Sequence, residues 1–226
     1  MSAFEGGNAR VGARPAVPAG DEGPTGLQPL GLGSGRDGFL LVPPRARTGP
    51  RPLVVSFHGA GGSGESGIAR LQSAAGEHDF IVVAPDSRGP TWDAVGGSFG
   101  PDVAFIERAL ERVFDDYEVD PSLVAVEGFS DGATYALSLG ISNGDLFKTI
   151  LAFSPGFSAA AGATGEPRVW ISHGTEDRVL PIDSTSRRLA PALVRSGFKV
   201  RYTEFEGGHT TPRWMTAAAC KWWLGL

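Results

Sequence analysis

The stretch Leu123-Val-Ala-Val-Glu-Gly-Phe-Ser-Asp-Gly-Ala-Thr-Tyr-Ala-Leu-Ser-Leu139 passes from an apolar run to a helical pattern through a turn flanked by glycines. A serine at such a turn has its hydroxyl exposed at the end of a strand, and Gly128 and Gly132 let strand and helix approach closely. The N-terminus of the following helix directs N–H groups at developing negative charge. The stretch therefore predicts a reactive serine, Ser130, at the edge of a parallel sheet.

Similar apolar runs recur along the chain, with helical patterns between them. Most are continuous rather than alternating, as in strands covered on both faces. We predict an α/β protein with a doubly wound, mostly parallel sheet, whose ligands bind beyond the carboxyl ends of the strands. The predicted strands are Gly38–Val42, Leu53–Phe57, Phe80–Ala84, Leu123–Val126, Thr149–Phe153, Val169–Ser172 and Val200–Phe205, and the predicted helices are Asp102–Phe114, Asp131–Leu139, Ser184–Ser196 and Pro212–Trp223.

The length of 226 residues suits one domain with one large core. Residues 1–25, rich in Gly, Ala and Pro, are interpreted as a flexible arm, and residues 26–226 as the catalytic domain. The cluster of Arg45, Arg47 and Arg51 is interpreted as a solvated loop. Cys220 is expected to be a buried or half-buried structural thiol.

Charge and hydropathy exclude several kinds of partner. The formal net charge of −5 argues against nucleic acid or an anionic membrane as the main partner. No apolar run approaches the roughly 18 residues of a membrane span, and Met1–Gly23 lacks the apolar segment of a secretion signal. A cytoplasmic location is therefore expected. The sequence does not determine the oligomeric state.

Three Gly-x-Ser-x-Gly matches compete for the nucleophile, centred on Ser98, Ser130 and Ser142. The motif indicates a nucleophile only when a strand precedes it and a helix follows. Ser98 lies in a glycine-rich loop without a preceding strand, and Ser142 follows a helical stretch. Ser130 alone has the required context.

A serine hydroxyl needs a base to take its proton, and histidine is the natural base near neutral pH. The expected order along the chain is serine, acid, histidine. Of the two later histidines, His173 ends a strand and suits a structural hydrogen bond, whereas His209 lies in a loop and is predicted as the base. Asp177, just beyond the preceding strand, is predicted as the orienting acid, with Glu176 and Asp183 as competitors.

An oxyanion hole requires two N–H donors, and the backbone of Asp131 is predicted as one. The other is expected in the turn His58-Gly-Ala-Gly-Gly-Ser63, at Ala60 or, as the alternative, Gly61. His58 is interpreted as a side chain that stabilises the turn. Trp92, on a loop after a strand, is expected either to line the pocket or to be an ordinary core or surface aromatic.

Five motifs together resemble the α/β-hydrolase superfamily: His58-Gly-Ala-Gly-Gly-Ser, Gly128-Phe-Ser-Asp-Gly, Ser154-Pro-Gly, His173-Gly-Thr-Glu-Asp-Arg-Val-Leu-Pro and Gly207-Gly-His. Within it, the chain resembles the phospholipase/carboxylesterase group and the polyhydroxybutyrate-depolymerase-like and feruloyl-esterase-like proteins, from about Gly26 onward. Asp131 departs from the Gln common after the nucleophile in such carboxylesterases. The resemblance implies a serine esterase that forms an acyl-enzyme and needs no cofactor. With four histidines and no Cys/His cluster, the sequence suggests no metal site.

The interval from Phe157 to Pro167 is too short for a cap domain. An open site favours a small-molecule substrate, either a short-chain or an otherwise accessible ester. An acyltransferase that uses the same triad, or a polyester or feruloyl-type esterase, is the alternative.

Overall fold

A computed structural model describes residues 9–33, 35–44, 49–160 and 162–226, and these residues form eight strands and six helices. In chain order they are β1 (Gly26–Pro29), β2 (Gly38–Val42), β3 (Arg51–Phe57), α1 (Gly64–His78), β4 (Ile81–Pro85), α2 (Asp93–Gly96), α3 (Pro101–Asp116), β5 (Val119–Phe129), α4 (Asp131–Ser142), β6 (Thr149–Phe153), β7 (Arg168–Gly174), α5 (Ser186–Arg195), β8 (Val200–Phe205) and α6 (Arg213–Leu224).

The described strands form one sheet in the order β1-β2-β4-β3-β5-β6-β7-β8. All pairs from β4 to β8 are parallel, while β1 and β2 add an antiparallel edge. The chain runs from β3 outward to β4 and then back across to β5, so strand order reverses next to β3. Such a reversal leaves a crevice beyond the carboxyl ends of the strands, where ligands of open α/β sheets bind. The predicted doubly wound, mostly parallel sheet is confirmed.

The sheet is buried on both faces, which explains the continuous apolar runs. Successive residues of β3 belong to different hydrophobic core clusters: Val54 packs with α1 and α6, whereas Val55 packs with α3 and α4. Cys220 of α6 lies in the first of these clusters, as expected. Burial, with the nearby charge of Glu127, raises the pKa of its thiol to about 12, so the thiol is not a nucleophile at neutral pH.

Helix α1 was not predicted from the sequence because it contains glycines, which have a low helix propensity. They are required where the helix approaches the sheet. A Cβ on Gly64 would lie 2.1 Å from the carbonyl oxygen of Ala84, and one on Gly67 would lie 2.4 Å from Oγ of Ser56. Strand β1 was also not predicted, because its residues alternate between half-buried and exposed positions at the sheet edge.

The interpretation of the arginine cluster as a solvated loop is wrong for Arg51. Its side chain is 2% exposed and forms ion pairs with Asp79, which caps the end of α1, and with Glu22 at 3.6 Å. These partners are distant in sequence, so the local pattern could not reveal them. Arg45 and Arg47 lie outside the described residues.

The described part of the N-terminal arm is held against the domain. Val11 is 1% exposed and belongs to the main core, and its N–H donates to Oδ1 of Asn143 at 2.9 Å. Arg10 and Arg14 form ion pairs with Asp145 at 2.7 and 2.5 Å. Residues 9–14 therefore differ from the expected flexible arm, because contacts with α4 and the following turn hold them. Residues 1–8 lie outside the described part of the chain.

Candidate active site

Ser130 occupies a strained turn between β5 and α4. Its backbone has φ 57° and ψ −121°, a left-handed conformation that costs a non-glycine residue about 1–3 kcal/mol. The flanking glycines allow no side chain, since a Cβ on Gly128 would lie 2.1 Å from the carbonyl oxygen of Gly132. A Cβ on Gly132 would lie 2.2 Å from the carbonyl oxygen of Phe57. The turn thus places the hydroxyl at the carboxyl edge of the sheet, at the N-terminus of α4.

The two competing serines lie elsewhere. Ser98 is exposed in the loop after α2. Ser142 ends α4, where its hydroxyl is buried and donates to the carbonyl oxygen of Ser138 at 2.9 Å. Of the three motif serines, only Ser130 has a histidine within hydrogen-bond distance.

The structure brings Ser130, His209 and Asp177 together in one hydrogen-bonded chain. Oγ of Ser130 lies 2.8 Å from Nε2 of His209, and Nδ1 of His209 lies 2.6 Å from Oδ2 of Asp177. The imidazole packs on the ring of Phe129 at a centroid distance of 4.7 Å. With Nδ1–H donating to the carboxylate, Nε2 accepts from the serine hydroxyl. This is the geometry that proton transfer from a serine requires.

Asp177 is 5% exposed and remains ionised because its oxygens are hydrogen-bonded. Burial raises the pKa of its carboxyl, but hydrogen bonds from His209 and from the N–H groups of Leu180 and Val179 outweigh burial, so the pKa lies below its ordinary value. The competing carboxylates do not reach His209: the side chain of Asp183 is 81% exposed and pairs with Arg187, while Glu176 is exposed.

His173 has the structural hydrogen bonds that the sequence indicated, and one further contact. Its Nε2 lies 2.8 Å from the carbonyl oxygen of Leu180 and 3.1 Å from Oδ2 of Asp177. Two acceptors face Nε2, so this nitrogen carries the proton, and Nδ1 accepts from the hydroxyl of Ser186 at 2.7 Å. Burial lowers the pKa of His173, which keeps the ring neutral. The contact with Asp177 was not predicted, although the spacing His173-x-x-x-Asp177 was visible in the sequence.

The backbone N–H groups of Asp131 and Ala60, the two predicted oxyanion donors, have no acceptor among the described residues. Asp131 is the first residue of α4, where N–H groups have no partner within the helix. The N–H of Gly61, the alternative to Ala60, donates to the carbonyl oxygen of Pro90 at 2.7 Å. The geometry therefore favours Ala60 over Gly61 as the second donor.

The turn that holds Ala60 is supported by the loop after β4. Nδ1 of His58 donates to the carbonyl oxygen of Gly59 at 2.7 Å, and its Nε2 accepts from the N–H of Ser87 at 3.0 Å, which confirms the turn-stabilising role. Trp92 is 1% exposed, stacks on Tyr135 at 4.9 Å and donates to the carbonyl oxygen of His58 at 2.8 Å. It is a core aromatic that fastens the turn, and the expectation that it lines the pocket is wrong.

The same loop also contacts the residue after the nucleophile. Oγ1 of Thr91 donates to Oδ2 of Asp131 at 2.6 Å. One loop therefore supports both candidate oxyanion donors. This role was missed because Thr91 carries no motif and its partner lies 40 residues away. Among the described residues, no group of three or more His, Cys, Asp or Glu side chains is arranged to hold a metal ion.

No protein-family model matches the sequence, but several curated proteins and solved structures are similar to the chain. Feruloyl esterase C of Emericella nidulans is 30% identical over 164 residues, which cover 66% of this chain and 58% of that protein. S-formylglutathione hydrolase of Bos taurus is 29% identical over 141 residues, covering 51% of this chain and 50% of that protein. The chain thus spans 50% to 58% of the length of these two relatives.

Solved structures match over more of the chain. The crystal structure of esterase PE8 has a TM-score of 0.65 at 25% identity, covering 82% of this chain and 96% of that one. The Staphylococcus aureus fluorophosphonate-binding serine hydrolase FphF has a TM-score of 0.70 at 14% identity, covering 89% and 99%, and supports the fold alone. The chain therefore has the α/β-hydrolase fold and is related in sequence to feruloyl esterases and other hydrolases.

Proposed function

We propose that the chain is a serine carboxylic-ester hydrolase. The observation that best supports this function is the hydrogen-bonded chain from Ser130 through His209 to Asp177 at the carboxyl edge of the sheet. His209 takes the proton of Ser130 as Oγ attacks the ester carbonyl carbon, and Asp177 fixes the imidazole tautomer and stabilises the imidazolium. The N–H groups of Ala60 and Asp131 bind the oxyanion.

The reaction proceeds through an acyl-enzyme. As the tetrahedral intermediate collapses, the ester C–O bond breaks and the proton on His209 passes to the departing alcohol oxygen. A water molecule then attacks the acyl group on Ser130, with His209 again taking the proton, and releases the carboxylic acid. None of these steps requires a cofactor or a metal.

Hydrolysis of p-nitrophenyl acetate, together with labelling by a fluorophosphonate, tests this proposal. Ser130→Ala is expected to lower kcat by about 10⁴ to 10⁶ and to abolish labelling, because the nucleophile is lost. Ser98→Ala is the matched control, since this exposed serine also lies in a Gly-x-Ser-x-Gly motif. Labelling that persists in Ser130→Ala, or that is lost in Ser98→Ala, would disprove the assignment.

Short-chain or otherwise accessible esters are the proposed substrates. Between β6 and β7, the described residues contain no helix or strand that could cover the site. An uncovered site buries few methylene groups, each worth roughly 0.8 kcal/mol, so activity on p-nitrophenyl esters should fall beyond about C8. A maximum at C12 or longer, with activation at an oil–water interface, would contradict this proposal.

The relatives named feruloyl esterase support a second candidate substrate, a hydroxycinnamoyl ester. The values of kcat/KM for methyl ferulate and p-nitrophenyl butyrate, measured side by side, would distinguish it from a short acyl ester. Product analysis with and without an added alcohol would reveal an acyltransferase, which would transfer the acyl group to the alcohol rather than to water. None of the described helices is both long and apolar enough to cross a membrane, and the cytoplasmic location stays a prediction.

A further inference from the structure

A cavity of about 340 Å³ opens directly beside His209. It lies between the start of α1, the end of β5 and the start of α6. Its lining includes Ser66, Arg70, Phe129, His209, Arg213 and Thr216. The lining contains His209 but not Ser130, so the cavity adjoins the base without enclosing the nucleophile.

The position of His209 determines which part of an ester can enter this cavity. Its Nε2 passes a proton to the oxygen of the departing alcohol, so that oxygen must lie within hydrogen-bond distance of the imidazole. The oxyanion donors Ala60 and Asp131 hold the carbonyl oxygen instead. The alcohol part of the substrate therefore lies against the cavity beside His209.

The cavity carries one uncompensated positive charge. Arg213, exposed at the first position of α6, has no ion pair or hydrogen bond with any described residue. Arg213 also lines a second cavity together with Glu77, but no ion pair joins these two residues. Arg70, in contrast, is neutralised by Glu127 at 2.6 Å. The N-terminus of the 12-residue helix α6 adds its positive dipole to the charge of Arg213.

We propose that this cavity is the leaving-group subsite and that it selects alcohols bearing a carboxylate, which pairs with Arg213. The proposal rests on the proposed esterase function. It concerns the charge of the alcohol and leaves the acyl group open.

Three acetate esters with the same acyl group test the proposal: phenyl acetate, 4-carbamoylphenyl acetate and 4-carboxyphenyl acetate. Each kcat/KM is divided by the rate of hydroxide-catalysed hydrolysis, which removes differences in leaving-group reactivity. The wild type should prefer the carboxylate over the carbamoyl ester by about 2- to 5-fold, the range of an exposed charge pair. Screening in 0.5 M NaCl should reduce the preference.

Arg213→Gln should abolish the preference and leave kcat/KM for the carbamoyl ester within about twofold, because only the charge is lost. Arg213→Lys should retain most of the preference. Arg195→Gln is the control, since it removes the same charge from an exposed position at the end of α5. An equal preference in the wild type and Arg213→Gln would overturn the proposal.

Binding of the product 4-hydroxybenzoate, followed by ligand-observed NMR against 4-hydroxybenzamide, tests the subsite without catalysis. The wild type should bind the carboxylate more tightly, and Arg213→Gln should not. If the wild type shows this binding but hydrolyses no acetate ester, the proposed function fails while the subsite stands. If all three esters are hydrolysed through Ser130 with no charge preference, the subsite fails while the proposed function stands.

Discussion

Replacing Arg70 by methionine is expected to destabilise the protein strongly, because it leaves a buried carboxylate without its counter-ion. Glu127, immediately before the nucleophile turn, is completely buried. Nε of Arg70 donates to its Oε1 at 2.6 Å, Nη2 of Arg70 donates to its Oε2 at 3.2 Å, and the hydroxyl of Ser56 donates to Oε2 at 2.5 Å. The Arg70 side chain is itself only 11% exposed, so water cannot replace it.

The expected loss is about 3 to 5 kcal/mol of unfolding free energy, the usual cost of breaking a buried ion pair from one side. For a chain of this length, each kcal/mol shifts Tm by about 2 to 4 °C, so Tm should fall by roughly 6 to 20 °C. Arg70→Met/Glu127→Gln removes both charges and should recover a large part of the loss. The coupling between the two sites should exceed about 1.5 kcal/mol.

Urea unfolding and thermal scans of the wild type, both single variants and the double variant measure this coupling. Arg195→Met serves as the control, because an exposed arginine without an ion pair should change stability by no more than about 0.5 kcal/mol. The reasoning is refuted if Arg70→Met costs less than about 1 kcal/mol, or if the losses in the two single variants simply add in the double variant.

Three further outcomes are expected. Asp177→Asn should lower kcat by about 10⁴-fold with little change in KM, whereas Asp183→Asn should leave kcat nearly unchanged. The reverse result would show that Asp183 is the orienting acid. Thr91→Val should lower kcat by about tenfold, which is less than the 10²- to 10³-fold loss expected when an oxyanion donor is removed outright. Thr91→Ser should restore the activity. An unchanged kcat in Thr91→Val would show that the hydrogen bond from Thr91 to Asp131 does not position the backbone N–H of Asp131. A hydrogen bond from Arg10 lowers the pKa of Asp145 to about 2, so the tether of the arm is fully present above about pH 4 and is lost as the pH falls towards 2. The protection factors of the amides in residues 9–14, which correct for the intrinsic pH dependence of exchange, should therefore fall over that range and, at pH 7, in Asp145→Asn; unchanged protection would mean that the ion pairs do not hold the arm.

Sequence motifs located the candidate triad because each member follows a strand that can be recognised from its own short stretch of sequence. An apolar run before Gly128 and a helical run after Gly132 distinguish Ser130 from Ser98 and Ser142. Local context then distinguishes His209, in a loop, from His173, at the end of a strand. In a parallel sheet, the carboxyl ends of strands meet at one edge, so residues placed at those ends along the chain also meet in space.

Tertiary structure alone decided the features that depend on partners distant in sequence. Trp92 and Arg51 each lie in a loop-like or strand-end context, and only packing shows that both are buried and paired with groups on other elements. The glycines of α1 disfavour a helix when the sequence is considered locally. They are required because the helix approaches strand residues that are distant in sequence. The same holds for the cavity beside His209: Arg213 is an ordinary surface arginine in the sequence, and only the fold places its unpaired charge next to the candidate base.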